Sequence, residues 1–156
     1  MDPLLYLPPE NQQQLDAITL NDALAVCIDS LELLEHAEKH CEGEKLRGVF
    51  ASLIDTKRRL VTELQHHLRS HETTPTINGT LTGDMRRWYL TAREWFSNDI
   101  DQLLLERLYD YEVRNLKMLQ QAIVISERVE TIEELKFAKR LIEMHIDTLQ
   151  SLKMKD

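Results

Sequence analysis

LERLYDYEVRNLKMLQQAI, residues 105–123, carries an apolar seam at Leu105, Tyr109, Leu116, Leu119 and Ile123, with Glu112 in its middle slot. Steps of four and three residues are the spacing of one buried helix face. A carboxylate in such a slot has to be paired, protonated or bound to a metal, because an unpaired buried charge is too costly to keep. Which of these holds decides how the chain is read.

Outward from this stretch the chain keeps the same character. Its four prolines are Pro3, Pro8, Pro9 and Pro75, and it has only four glycines, so residues 10–74 and 76–156 run without proline. Long proline-free, glycine-poor, Leu-rich stretches predict an all-α protein. Residues 1–18 read as an extended arm, held from helix by the X-Pro steps, with Leu4, Leu5, Tyr6 and Leu7 too apolar for a free tail. The bundle is expected over residues 19–156. A first helix follows Thr19, with a seam of Leu20, Leu24, Cys27, Leu31 and Leu34, and is expected to end at Gly43 as a C′ residue. The second, from Glu44 to about His71, has its seam at Leu46, Phe50, Leu53, Lys57, Leu60, Leu64 and His67. So short a link makes the two antiparallel neighbours.

ETTPTINGT, residues 72–80, is the one clear linker, and a short helix over about Thr82–Ser97 should carry Trp88, Tyr89, Trp95 and Phe96. Asn98-Asp99 recaps the chain, and a third helix runs from Ile100 to about Ile125. Thr131 with Glu134 forms a capping box for a fourth, with a seam of Leu135, Ala138, Ile142, His145, Leu149 and Leu152. A crossover over residues 72–99 is long enough to span a bundle. It points to a ferritin-like four-helix bundle with an additional short crossover helix, the second and third long helices running parallel.

Charge and composition narrow the function. With 27 acidic and 19 basic residues the net charge is −8, which disfavours a nucleic-acid or anionic-membrane binder. No apolar run is long enough for a transmembrane helix. Cys27 and Cys41 lie roughly 21 Å apart at the helical rise, so they are expected as reduced thiols of a cytoplasmic protein. There is no phosphate loop, GxSxG or CxxC motif, and no catalytic residue is assigned.

Ferritin-like di-metal centres take one Glu from each of two helices and a Glu-x-x-His pair from each of the other two. Glu63-Leu64-Gln65-His66 is a formal match but lies on the flank of its helix. Glu143 and His145 have the wrong spacing, Glu35 only approaches its seam, and Glu112 alone points inward. The set of Glu35, Glu63, His66, Glu112 and His145 is therefore incomplete as an iron or manganese site. Lys57 occupies its seam midway along the second helix, as Glu112 does along the third. A Lys57–Glu112 ion pair would satisfy both groups, with Tyr109 or Tyr111 hydrogen-bonding nearby; His145 is the other expected partner of Glu112.

Leu20-Asn21-Asp22 with Cys27, Asp29 and Ala37 resembles the first helix of a bacterial family of ferritin-like four-helix bundles of unknown function, named for a Pseudomonas representative. Phe50, Leu53, Lys57 and Glu63-Leu64 resemble its second helix, Leu81-x-Gly83 with Arg87-Trp88 its crossover, and Glu112 its third helix. The resemblance covers about residues 19–123. It implies the fold and no activity, and it implies a basic core position at Lys57. Ser30 stands where the family often has Gly. The function expected is that of a non-catalytic, cofactor-free bundle acting through protein contacts. A homodimer through Leu5, Tyr6, Leu7, Trp88, Trp95 and Phe96 is expected, with no nucleic acid and no membrane. The competing reading is a metal-dependent redox protein of iron or manganese with an incomplete site.

Overall fold

The structure, a computed structural model, describes residues 9–71, 73–76, 79 and 99–153, with side chains from Gln14 onward. Four α-helices make up the described residues: α1 (Pro9–His40), α2 (Glu44–Ser70), α3 (Ile100–Ile125) and α4 (Val129–Lys153). The interface residues expected at Leu5, Tyr6, Leu7, Trp88, Trp95 and Phe96, and the expected crossover helix, lie outside the described residues.

The first correction falls on the arm. Residues 9–18 are helical, and α1 starts well before the expected Leu20. A proline restricts itself and the residue before it, not those that follow. Pro9 in the first turn gives up an N–H that has no intrahelical acceptor anyway. Asp16 then anchors this added length, because its carboxylate is buried and accepts the Arg128 backbone N–H at 2.9 Å.

Gly43 is the second correction. Its φ of −76° and ψ of 127° are extended, so it is the N-cap of α2 and not a left-handed C′ residue of α1. The turn at residues 41–43 is closed by side chains instead. Asp101, in the first turn of α3, accepts the Glu42 N–H at 2.7 Å and the Gly43 N–H at 2.9 Å. A Cβ at Gly43 would come within 3.1 Å of that carboxylate, which is why a residue without one fits. Arg47 covers the end of α1, donating from Nη2 to the Cys41 carbonyl at 2.6 Å and from Nε to that of Glu38 at 3.2 Å. A cation suits the negative end of a helix.

Asp99 caps α3 as expected, accepting the Gln102 N–H at 3.0 Å. The fourth helix starts at Val129, ahead of Thr131, which is buried in its first turn and does not cap it. Asp16 of α1 instead holds the chain at this end, accepting the N–H of Arg128 just before the helix.

Two apolar clusters fix the directions of the helices. One holds Leu34 and Ala37 of α1, Phe50 and Leu53 of α2, Leu105 and Leu108 of α3 and Leu149 of α4. The other holds Leu20 and Leu24, Leu60 and Leu64, Leu119 and Ala122, and Leu135 and Ile142 of the same four helices in turn. Residue numbers rise from the first cluster to the second in α2 and α3, and fall in α1 and α4. Hence α2 and α3 are parallel, and α2 ends at the opposite end of the bundle from the start of α3. That is the ferritin-like topology.

Asn21 ties the chain beyond α2 to α1, accepting the Thr76 N–H at 2.8 Å and donating to the Thr74 carbonyl at 3.3 Å. Gly79 lies so close to the fully buried Asp29 carboxylate that a Cβ there would collide with it.

Because Asp101 accepts two backbone N–H groups that the turn leaves without helical partners, Asp101→Ala is expected to destabilise the bundle by about 1–3 kcal/mol. Urea unfolding at neutral pH, with the slope unchanged and the midpoint lowered, is the measurement.

Candidate functional site

Between the two apolar clusters lies a buried polar layer. Ser30 of α1, Lys57 of α2, Glu112 and Asn115 of α3 and His145 of α4 are each at most 4% exposed. Each sits on the inward face of its helix, so every helix of the bundle contributes to the layer.

Lys57 and Glu112 form its centre. The ammonium lies 3.1 Å from Oε1 and 3.2 Å from Oε2 of Glu112, and the two side chains are 0% and 1% exposed. Ser30 Oγ donates to Oε1 as well. Both carboxylate oxygens are thus engaged, one of them twice. The ion pair expected between Lys57 and Glu112 is the arrangement in this structure.

His145 is not the partner of Glu112. Its Nε2 lies 2.7 Å from Thr56 Oγ1, and that hydroxyl donates its single proton to the Leu53 carbonyl at 3.0 Å. Thr56 therefore accepts from Nε2–H, which fixes the neutral imidazole tautomer and leaves Nδ1 as a buried acceptor with no hydrogen-bond partner among the described residues. Burial, followed by the positive charge of Lys57, pushes the pKa of His145 from 6.5 down to about 4, against a smaller opposing effect of Glu112. Cys27, also fully buried beside the pair, has its thiol raised to about 11, chiefly by burial. It is an inert thiol, and neither cysteine is in a disulfide.

The remaining predicted positions scatter. Glu35 faces solvent and pairs with the exposed Arg58 at 3.4 Å. Glu63 and His66 are exposed on α2. Glu63 lies beside Glu134 of α4, whose carboxyl is held above its ordinary range by burial and then by the Glu63 charge. Of the residues considered for iron or manganese, only Glu112 and His145 reach the interior. Among the described residues, no group of three or more His, Cys, Asp or Glu is placed to hold a metal ion.

Sequence reasoning missed Ser30, Thr56 and Asn115. Ser30 stands out in the sequence only as a departure from a family glycine. In the structure its hydroxyl reaches Glu112, the role expected of Tyr109 or Tyr111. Tyr111 donates to the Val26 carbonyl at 3.5 Å, and Tyr109 is half-buried with the Lys153 ammonium 4.0 Å from its ring centre. The one signal for Thr56 is its place next to Lys57, and Asn115 gives none.

Residues 17–124 match the family model described as Domain of unknown function (DUF2383). A solved structure described as "Crystal structure of ferritin like, diiron-carboxylate proteins from Bacillus anthracis str. Ames" aligns with a TM-score of 0.72. The alignment covers 91% of this chain and 97% of that chain at 16% identity, a likeness that shows the fold. No curated protein matches the sequence.

The polar layer can be tested by removing its charges singly and together. Glu112→Ala leaves a buried ammonium without its counter-ion and is expected to cost about 3–5 kcal/mol, and Lys57→Met about as much. The double replacement Lys57→Met with Glu112→Leu should recover much of that loss, because the desolvation of both charges is removed together. Chemical denaturation of the two single variants and the double closes the cycle.

His145 makes the layer sensitive to acid. Its folded pKa lies below the unfolded value, so the unfolded chain binds the proton first and acid favours unfolding. Its contribution to stability is constant above pH 6.5 and falls as the pH drops towards 4, by about 3 kcal/mol across the window. His145→Gln should flatten the difference between melts at pH 7 and pH 5.

Proposed function

We propose a function for a chain that belongs to the family Domain of unknown function (DUF2383): it is a non-catalytic helical bundle that acts through protein contacts, as a homodimer in the cytoplasm. The observation that carries this reading is the state of Glu112, whose two carboxylate oxygens are occupied by Lys57 and Ser30. A residue set that holds a metal pair needs several carboxylates and imidazoles turned inward and free to ligate. The residues here do not fit a di-iron centre of the kind that the Bacillus anthracis protein is named for. A protein ammonium stands against the central carboxylate, Ser30 and Asn115 carry no charge, and Glu35, Glu63 and His66 face outward.

Support for association comes from exposed apolar side chains. Val124, Ile125 and Val129 are 82%, 64% and 70% exposed where α3 meets α4, with Phe137 and Met144 further along α4. Two free, buried thiols support a reducing compartment. No helix among the described residues is long and apolar enough to cross a membrane.

Metal and mass together test the reading. Protein purified without a His tag is expected to carry no stoichiometric Fe or Mn, to keep its melting temperature on addition of Fe(II) or Mn(II), and to scatter light as a dimer. About two metal ions per chain, with a rise in melting temperature that Glu112→Ala abolishes, would establish the redox reading instead. A monomer at high concentration would remove the homodimer.

A further inference from the structure

At the end of the bundle away from the α1–α2 turn, α1, the C-terminal end of α2 and the start of α4 line a half-open cavity of about 290 Å³. Its floor is apolar, from Ala17 and Leu20 of α1 and Leu68 of α2. Two charged side chains line it, Asp16 and Arg128. Asp16 is 2% exposed, and it accepts from the backbone N–H of Arg128, not from the guanidinium. Among the described residues the Arg128 guanidinium makes no ion pair. His67 also lines the wall, its Nδ1 3.8 Å from Glu134, and burial, with the charges of His71 and Arg128 behind it, lowers its pKa against the smaller opposing effects of Glu130 and Glu63.

A carboxylate and a guanidinium on one cavity, neither neutralising the other, over an aliphatic floor, match a ligand that carries both complementary charges and a short apolar body. We propose that this cavity binds a small zwitterion of the α-amino-acid type with an aliphatic side chain. Asp16 receives the ammonium, Arg128 clasps the carboxylate through its two-pronged donor face, and the side chain lies on Ala17, Leu20 and Leu68. The volume, at the lower edge of the range for small-molecule pockets, sets the size limit. An anion alone would leave Asp16 facing a like charge, and an amine alone would leave Arg128 without a counter-ion.

The probes are leucine, 4-methylpentanoate, which lacks only the ammonium, and isoamylamine, which lacks only the carboxylate. Each is titrated into the full chain by calorimetry and by following amide chemical shifts. Leucine is expected to bind saturably, with shifts confined to residues around Asp16, Leu68 and Arg128, and each truncated probe at least about tenfold more weakly, since one charge-assisted contact is lost. Arg128→Gln should bring leucine down to the level of isoamylamine, and Asp16→Asn should bring it down to the level of 4-methylpentanoate. Arg128 is partly exposed, so its variant keeps the test open should Asp16→Asn fail to fold. No saturable binding of leucine, equal binding of leucine and either truncated probe, or unchanged leucine affinity in Arg128→Gln would overturn the assignment. None of these results depends on oligomeric state or on metal content.

Discussion

An ammonium and a carboxylate shut away from water at the middle of the bundle are the constraint that the rest of this structure obeys. Desolvating two ions is expensive, and their attraction offsets the cost only when geometry is good and the remaining polar atoms are satisfied. Lys57 meets both oxygens of Glu112, and Ser30 adds a third contact from another helix. A slip of α2 along α3 by one turn would place Glu112 opposite an apolar residue of α2, Leu53 or Leu60, and carry Lys57 away from its carboxylate. The pair therefore selects one register between two parallel helices that no short loop joins. Leu-rich seams alone are tolerant of such slips, because a leucine one turn further on fills a similar space.

The layer around the pair divides the core in two. Apolar packing on either side supplies the bulk of the stability, while the layer supplies alignment. His145 shows how far the electrostatics spread: it makes no hydrogen bond to the pair, yet its proton affinity falls through burial and the nearby ammonium. Cys27 responds oppositely, because burial disfavours its thiolate more strongly than Lys57 favours it. Both groups are held neutral, so the layer contains one positive and one negative charge that cancel.

How much of this the chain reveals beforehand follows from the range of the interactions involved. Periodicity is local, and it places α2 and α3 and both halves of the central pair, since Lys57 and Glu112 each interrupt an otherwise apolar seam. Contacts between distant segments leave no such trace. Asp16 serves a backbone group 112 positions away, Ser30 a carboxylate 82 positions away, and Asp101 a turn 59 positions before it. The start of α4 departs from expectation for this reason: a capping box is a local pattern, whereas the carboxylate that serves this end comes from α1. The start of α1 departs for another. Two adjacent prolines look like a barrier to helix, yet their restriction acts on themselves and on the residue before them, and the chain after Pro9 is free to coil.

The same distinction bears on where function is to be sought. A lysine is covalently part of the chain and cannot exchange with solution, so a ligand or metal could enter a core neutralised by it only by displacing a residue. At the bundle end the situation is reversed. Asp16 has one oxygen on a backbone N–H, Arg128 is held beside it by that same bond, and the two side-chain charges border one cavity without joining across it. The charge balance that is complete in the middle of the molecule is left open at its end, and it is there that the proposed binding site lies.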